Sequence, residues 1–198
     1  ACAYIARVSS KKQTNPSVKG LLKYCAKHGH WSVFEHGYLT MEVVCPVFVS
    51  RQLVRHRSFT YQEFSGRYQD ARQLEDMTNG LECVGDLFYM PPAARLQDPE
   101  NRQNSIEIKY DDTTSKMWGA MENAYVECQK QYKKLIDLGI AKELARVVPP
   151  QSSYSRLYVT GNARSFIHYL AVRDDPGVAQ WEHVELARAI GRVFASEC

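Results

Sequence analysis

Apolar and polar side chains alternate over residues 38–45, and this period of two predicts a β-strand with one buried face. The predicted buried face carries Leu39, Met41, Val43 and Cys45. Pro46 then favours the first turn of a helix over residues 47–54, because its fixed φ suits that position. Residues 55–57 would lie at the end of this helix, and residues 58–68 would form a turn followed by a second strand.

Five further segments place apolar residues at the spacing of an amphipathic helix. They are residues 17–27, 115–138, 141–148, 162–173 and 179–196. Gly29 is placed to end the first in a left-handed conformation, and Asn162 is placed to cap the fourth. Residues 70–105 hold several glycines and prolines and are predicted to be irregular. Together these elements predict one α+β domain over residues 1–198, with a small, mostly antiparallel sheet and several long helices.

The composition narrows the class of protein. A net charge of +3 over 198 residues is too small for a general nucleic-acid binder, so any anion binding must be local. We see no signal peptide, and no apolar run approaches the ~20 residues of a membrane-spanning helix. The six cysteines are widely spaced without a Cys-x-x-Cys pair, which fits neither a zinc site nor a disulfide scaffold. We therefore expect a cytoplasmic protein with free thiols and no metal site.

The segment at residues 55–68, RHRSFTYQEFSGRY, is the richest in candidate chemistry. Guanidinium groups match phosphate oxygens two at a time, and the backbone N–H groups of a Ser-Gly-Arg turn can approach an anion closely. One interpretation is therefore a site for a phosphorylated ligand. The other is a solvated helix end followed by a strand. Phe59, Tyr61, Phe64 and Tyr68 interleave the charges, so the segment is not a simple solvated tail.

Three arginines extend this basic set into the C-terminal half: Arg146, Arg164 and Arg173. Each lies near a predicted helix end, where backbone groups and the helix dipole also act on ligands. The alternative is that each makes an ion pair with a neighbour such as Glu143 or Asp174. His28 and His30 are typical of a helix terminus as much as of a ligand site. The chain has no glycine-rich phosphate loop, so a nucleotide would have to be bound by arginines.

At these residues the chain resembles the flavin-dependent thymidylate synthases. Residues 55–68 resemble the family signature, in which Arg-His-Arg is followed after seven residues by Ser and then Gly-Arg. Other stretches match family landmarks in family order: Ala6-Arg7-Val8-Ser9, His28-Gly29-His30, Phe34-Glu35-His36, Arg51-Gln52, Ala145-Arg146, Asn162-Ala163-Arg164-Ser165 and Gln180-Trp181-Glu182. The resemblance extends from Ala6 to Phe194.

The resemblance implies the thymidylate synthase-complementing-protein fold and the synthesis of dTMP from dUMP. The family takes a methylene group from 5,10-methylenetetrahydrofolate and reducing power from NADPH through FAD, and it needs no cysteine nucleophile. It is typically a homotetramer that holds FAD and dUMP where subunits meet. Nucleic acid and membrane are not expected partners. Family members also have a first strand before the landmark at Ala6, so we expect that strand to be missing from this segment.

The resemblance assigns dUMP contacts to Gln52, Leu53, Val54, Arg55, Glu63, Phe64, Ser65, Gly66, Arg67, Arg146 and Arg173. The Ser65-Gly66-Arg67 turn would take the phosphate. Arg173 is the implied catalytic residue, because a cation facing the uracil ring favours ionisation at N3 and makes C5 more nucleophilic. The implied FAD contacts are His30, Ser32, Arg55, His56, Arg57, Ser58, Glu63, Asn162, Ala163, Arg164 and His168.

Two positions depart from the family pattern. Many members carry Asn where His168 stands, and Pro176-Gly177-Val178 occupies a loop in which members often have His. One alternative is therefore an inactive homologue that keeps dUMP and FAD but has lost the folate chemistry. An alternative of another class is a nucleic-acid-binding module, in which the arginines of residues 55–67 act with Tyr61, Phe64 and Tyr68 as stacking partners.

Overall fold

A three-stranded antiparallel sheet carries the main core, in a computed structural model that describes residues 2–8, 10, 15, 17–66, 87–108 and 111–197. Its strands are β1 (Tyr38–Pro46), β2 (Thr60–Glu63) and β5 (Tyr154–Asn162). Strand β5 lies between the other two and pairs with both of them. Two short strands, β3 (Arg95–Gln97) and β4 (Ser105–Glu107), form a separate antiparallel pair.

The alternation predicted for β1 is confirmed. Met41, Val43 and Cys45 are buried, while the side chains between them are exposed. Against this face pack α6 (Ala163–Arg173) and α7 (Trp181–Glu197), and Phe166 and Tyr169 of α6 are fully buried there. The sheet therefore buries one face in the core and leaves the other accessible, as antiparallel sheets commonly do.

The other helices among the described residues are α1 (Cys2–Ile5), α2 (Lys19–Lys27), α3 (Val47–Leu53), α4 (Asp112–Asp137) and α5 (Lys142–Ala145). A 3-10 helix spans Trp31–Glu35. Each predicted helix is present, although α5 has only four residues. Pro46 directly precedes α3, and Gly29 takes the predicted left-handed conformation with φ 72°. Helix α4 begins three residues earlier than predicted because the Asp111 side chain accepts a hydrogen bond from Thr114 N at 3.1 Å.

The sequence analysis did not predict β5, which is the central strand. Leu157 and Val159 are buried and alternate with polar or exposed residues, so the period of two is present over a short stretch. The alternation is hard to detect in the sequence because Arg156 and the serines before it leave only a few apolar residues in this segment. The prediction of an irregular segment at residues 70–105 is wrong for β3 and the start of β4, whereas residues 89–94 and 98–104 form no helix or strand. Residues 70–86 lie outside the described residues.

The hairpin of β3 and β4 depends on one aspartate in the turn between its strands. The carboxylate of Asp98 accepts hydrogen bonds from Glu100 N at 2.8 Å, Asn101 N at 3.0 Å and Asn104 Nδ2 at 2.9 Å. An aspartate that bonds its own backbone in this way is a common turn former. None of the helices that the structure describes combines the length and the hydropathy of a membrane span.

Candidate active site

A cavity of about 480 Å³ opens where β2 and β5 face α4 and the end of α5. Its volume lies in the range of small-molecule sites. Five of its lining residues are predicted dUMP contacts: Glu63, Phe64, Ser65, Gly66 and Arg146. A Cβ added to Gly66 would lie 3.7 Å from Arg146 Cδ, which is an ordinary van der Waals contact. The backbone of Gly66 and the side chain of Arg146 therefore lie side by side in this cavity.

Three guanidinium side chains of the described residues line this cavity. Arg156 stacks on Phe64, with Cζ 5.2 Å from the ring centroid, and its Nε lies 3.1 Å from Glu42 Oε1 without hydrogen-bond geometry. Arg51 and Arg146 are exposed and have no ion-pair partner among the described residues. Two cations in one cavity without carboxylate partners favour an anionic ligand such as a phosphate.

The carboxylate of Glu63 also faces this cavity. Its Oε1 accepts a hydrogen bond from Ser155 Oγ at 2.5 Å, which connects the end of β2 to β5. The next residue continues the strand pairing, because Phe64 N donates to Arg156 O at 3.0 Å. The predicted phosphate turn therefore begins directly after a strand that is held at both its backbone and its side chain. Arg67, predicted to act in the same turn, lies outside the described residues.

Arg173, the predicted catalytic residue, is held by a histidine. Its Nε donates to His56 Nε2 at 2.8 Å, although 117 positions separate the two residues in the sequence. Burial and then the Arg173 charge lower the pKa of His56 to about 4, so the ring is neutral at pH 7. A neutral partner orients the guanidinium and leaves its positive charge uncancelled. His56 is further fixed by the ring of Tyr169, whose centroid lies 4.9 Å away at 85°.

Gln52, a predicted dUMP contact, lies on the α7 side of α3. Its amide forms hydrogen bonds with Gln180 at 2.5 Å and with His183 at 3.1 Å. Neither Gln52 nor Arg173 lines the cavity that holds Ser65 and Arg146. Within one chain, the predicted dUMP contacts therefore fall into two groups.

The predicted dUMP contacts that directly follow Gln52 in the sequence differ in how exposed their side chains are. Leu53 is fully buried, and its carbonyl accepts a hydrogen bond from Tyr61 OH at 2.6 Å, so its side chain is a core residue. Val54 and Arg55 are exposed at the end of α3. Tyr61 OH also donates to His56 O at 3.0 Å, which fixes the path of the chain after the helix.

Glu63, also a predicted FAD contact, lines the cavity, whereas several others lie at or near the start of α6. Asn162 caps this helix by accepting from Ser165 N at 2.9 Å, which confirms the predicted cap. Ser165 Oγ donates to Ser58 O at 3.1 Å and so brings the loop of residues 55–58 to the helix end. Arg164 forms an ion pair with Glu35 of the 3-10 helix, so neither of the expected carboxylates, Glu143 or Asp174, is its partner.

Most members of this group have exposed side chains: His30, Ser32, Arg55, Arg57, Ser58, Arg164 and His168. Ala163 is buried at the helix start. A helix N-terminus with arginines beside it is a ready site for a pyrophosphate, so the donor set fits a dinucleotide.

Sequence reasoning missed several residues at these sites. Arg51, Cys128, Tyr132 and Arg156 line the cavity, and the last was missed because β5 was not predicted. Tyr132 was interpreted as part of an apolar helix face, since its spacing alone predicts a core position. His183 lies at a buried position of α7, and no motif marks it. Only the three-dimensional packing brings it to Gln52.

The aromatic residues of the signature are engaged within the chain. Tyr61 donates to two backbone carbonyls, and Phe64 packs against Tyr158 with ring centroids 5.8 Å apart. Tyr68 lies outside the described residues. A nucleic-acid-binding surface would need such rings free to stack on bases, so the described geometry disfavours that alternative.

Comparison with known proteins agrees with the resemblance. The family model described as thymidylate synthase complementing protein matches residues 1–198. A flavin-dependent thymidylate synthase from Synechocystis sp. is 41% identical over 193 residues, which cover 97% of this chain and 82% of that protein. A probable flavin-dependent thymidylate synthase of Paramecium bursaria Chlorella virus 1 is 38% identical over 200 residues, which cover 98% of this chain and 84% of that protein.

The chain belongs to the flavin-dependent thymidylate synthase family. The members of this family are enzymes, and the α+β fold predicted from the sequence is confirmed. A crystal structure of the UMP/dUMP methylase PolB from Streptomyces cacaoi, bound with 5-Br dUMP, superposes with a TM-score of 0.78 at 31% identity. The match covers 98% of this chain and 84% of that one.

Proposed function

We propose that this enzyme makes dTMP from dUMP, with 5,10-methylenetetrahydrofolate as the carbon donor and NADPH as the reductant through FAD. The observation that carries the proposal is the cavity in which Ser65, Gly66 and Arg146 meet Arg51. The family resemblance assigns the first three to dUMP, and Arg51 adds a cation without a carboxylate partner among the described residues. This charge suits a nucleotide monophosphate.

The roles of the residues follow from their chemistry. The phosphate would be bound by the Ser65 turn and Arg146, and Arg173 would face the uracil ring. A guanidinium near N3 stabilises the ring anion that forms when N3 loses its proton, and this raises electron density at C5. His56 contributes because it holds Arg173 through a neutral nitrogen and so does not reduce that stabilisation.

The residues around the start of α6 would hold FAD. Arg55, Arg57 and Arg164, with the helix N-terminus, provide donors for its two phosphates. When bound, the flavin would supply the reducing equivalents taken from NADPH. The chain would contribute the binding surface, the orientation of the ring and the exclusion of water.

We also propose that no cysteine acts as a nucleophile. Burial, and then the charge of Glu63, raise the pKa of the Cys45 thiol to about 12, so it stays protonated at neutral pH. Cys128 lines the cavity and is therefore the thiol that must be tested. The described cysteines are free, which supports a cytoplasmic location.

A homotetramer with active sites shared between subunits is part of the proposal. The two groups of predicted dUMP contacts support it, since Gln52 and Arg173 do not line their own chain's cavity. An accessible apolar surface also supports it, because Tyr38, Val44 and Tyr158 on the outer sheet face are 70%, 54% and 41% exposed. The family match over residues 1–198 supports a single domain in each subunit.

The first experiment is anaerobic oxidation of NADPH by purified protein with FAD, with and without dUMP. A dUMP-dependent rate of flavin reduction, followed by dTMP formation once methylenetetrahydrofolate is added, is the expected result. Flavin reduction without dTMP would indicate the inactive homologue. If FAD does not bind and dUMP has no effect on NADPH, the proposal is wrong.

Arg173→Ala is expected to keep FAD bound and to abolish dTMP formation. The matched control is Arg188→Ala, which removes an exposed guanidinium that bonds Asp174 at 2.9 Å and should leave turnover unchanged. Wild-type turnover in the Arg173 variant would refute its assigned role.

The same variant tests the shared site. Arg173→Ala and Arg146→Ala subunits, inactive alone, are co-expressed or mixed with subunit exchange. If the two residues meet across an interface, each active site needs an intact Arg146 from one subunit and an intact Arg173 from the other. Half of the subunits supply each residue, so random mixing gives about a quarter of the wild-type activity. Complete inactivity of the mixture, with mixed oligomers verified by mass, would place both residues in one chain's site.

A second candidate substrate is UMP. The neighbour with a TM-score of 0.78 is described as a UMP/dUMP methylase, and its structure has also been solved with 5-Br UMP. The experiment that decides between them supplies UMP and dUMP together to one enzyme preparation and measures which of the two is methylated. Preference for dUMP is expected, because the curated relatives at 38–41% identity are named thymidylate synthases.

A further inference from the structure

An unbroken chain of side-chain hydrogen bonds joins five residues from α6 to the start of α7. Tyr169 OH lies 3.0 Å from His183 Nε2, and His183 Nδ1 lies 3.1 Å from Gln52 Oε1. Gln52 Nε2 donates to Gln180 Oε1 at 2.5 Å, and Gln180 Nε2 donates to Glu182 Oε2 at 2.9 Å. The chain thus connects a predicted dUMP contact to two fully buried rings and one buried carboxylate.

The carboxylate at one end sets the direction of every bond. Ionised Glu182 can only accept, so Gln180 must point its NH₂ group at Glu182 and its carbonyl at Gln52. Gln52 must then point its NH₂ group at Gln180 and its carbonyl at His183. The neutral ring of His183 therefore carries its proton on Nδ1, and its Nε2 accepts from Tyr169 OH.

Glu182 is well anchored as this fixed acceptor. Arg95 of β3 forms an ion pair with Oε1, and Tyr89 OH donates to the same oxygen at 3.0 Å. Burial alone would raise the pKa of Glu182, but hydrogen bonds, above all from Arg95, hold it below its usual value. The carboxylate is consequently ionised at neutral pH, and the hairpin of β3 and β4 contributes its charge partner.

Packing of the core alone does not explain a buried histidine at position 183. His183 is 0% exposed, and an apolar residue in α7 would fill the same volume without two polar atoms to satisfy. Both of its nitrogens are instead used, and the one facing Gln52 must be a donor. Gln52 keeps one Nε2 hydrogen that no bond in the described structure uses, so its orientation decides which group it presents to a ligand.

We infer that His183 is a positioning residue that, supported by Tyr169, holds the Gln52 amide in the single orientation in which Gln52 presents an N–H donor to the pyrimidine nucleotide. The inference rests on the proposed function, because Gln52 acts here as a nucleotide contact. His183 touches no substrate and acts only through Gln52. Loss of the His183 donor would leave the amide held by the Gln180 bond alone, with its carbonyl oxygen unpaired, so that Gln52 would hold its N–H at the site less firmly.

Three substitutions at one position separate orientation from packing. His183→Asn retains a donor near the place of Nδ1, whereas His183→Gln retains a polar group near the place of Nε2. His183→Leu keeps the volume and removes both. The control for lost stability is Val184→Ala, because Val184 is 1% exposed in the same helix and belongs to no part of the hydrogen-bond chain.

The dissociation constants for dUMP and for FAD are measured separately, together with KM, kcat and the melting temperature. We expect His183→Leu and His183→Gln to weaken dUMP binding about 10-fold, His183→Asn to restore it to within about 3-fold, and FAD binding to stay within about 2-fold throughout. Val184→Ala should lower the melting temperature without changing dUMP binding.

The inference is overturned if the Leu variant binds dUMP like the wild type, if Asn and Leu behave alike, or if FAD binding falls in parallel with dUMP binding. Each of these outcomes leaves the proposed function intact, since wild-type protein would still bind dUMP. If wild-type protein does not bind dUMP, the proposed function fails instead, and the inference fails with it.

Discussion

Gly161→Ala is expected to destabilise the fold by about 2 kcal/mol, because the new methyl group would collide with a core ring. Gly161 is buried in β5, and a Cβ at this position would lie 2.3 Å from Phe59 Cδ1 and 2.6 Å from Cε1. Ordinary contacts begin near 3.4 Å, so the ring would have to retreat by about 1 Å. The glycine is therefore required by the ring that passes over it.

The ring has little room to retreat. Phe59 is 7% exposed, and its centroid lies 4.8 Å from that of Phe166 and 5.7 Å from that of Tyr169. Overpacking of such a core costs about 1–3 kcal/mol. For a chain of this length, 2 kcal/mol corresponds to a fall of about 4–8 °C in the melting temperature. Phe59 directly follows Ser58, so FAD binding should weaken as well.

Urea unfolding and thermal melting of the variant measure this cost. The matched control is Gly119→Ala in α4, where an added Cβ meets nothing within 4 Å and should stabilise by about 0.4–1 kcal/mol. Adding Phe59→Leu should recover part of the loss, with a coupling energy of about 0.5–3 kcal/mol. A cost below about 0.5 kcal/mol for Gly161→Ala, or strict additivity with Phe59→Leu, would refute the reasoning.

Two further predictions concern pH and the cavity thiol. Burial and then the Arg173 charge lower the pKa of His183 to about 3, as they lower that of His56 to about 4. The unfolded chain takes up these protons near pH 6.5, so the free energy of unfolding should fall between pH 7 and pH 4, by up to ~1.4 kcal/mol per ring and pH unit. Urea titrations at several pH values measure the slope, which His56→Gln should flatten; an unchanged slope would contradict the assignment. Cys128→Ser should retain at least about half of the dTMP-forming activity, and a loss beyond 100-fold with dUMP still bound would indicate a cysteine nucleophile.

The elements that local signals specify were predictable from the sequence. Pro46 and Asn162 mark the starts of α3 and α6 because each satisfies a requirement of a helix N-terminus by itself. Strand β5 was less predictable. One face of this central strand is accessible to solvent, so its sequence contains serine and arginine and only a few apolar residues. Gly161 adds to the ambiguity, because glycine usually signals a turn, whereas here it admits Phe59.

For the site, the sequence identified the kinds of side chain but not their partners. The bond from Arg173 to His56 spans 117 positions and the bond from His183 to Gln52 spans 131, and no spacing rule covers such separations. Both pairs form because α6 and α7 pack on the same side of the sheet as α3. The family landmarks include Gln52 and His56, but they do not show that neutral histidine rings orient the Gln52 amide and the Arg173 guanidinium.

The short helix α3 joins the two groups of site residues. Successive residues of an α-helix point about 100° apart, so neighbours in sequence face different surroundings. Arg51 accordingly lines the cavity, while Gln52 turns to α7 and its hydrogen-bond chain. If a second subunit brings its Gln52 to this cavity, as proposed, each α3 serves two active sites at once. Val49 and Leu53 on the buried face, 1% and 0% exposed, then fix both contributions against one core, which is why a rigid seven-residue helix suits this position.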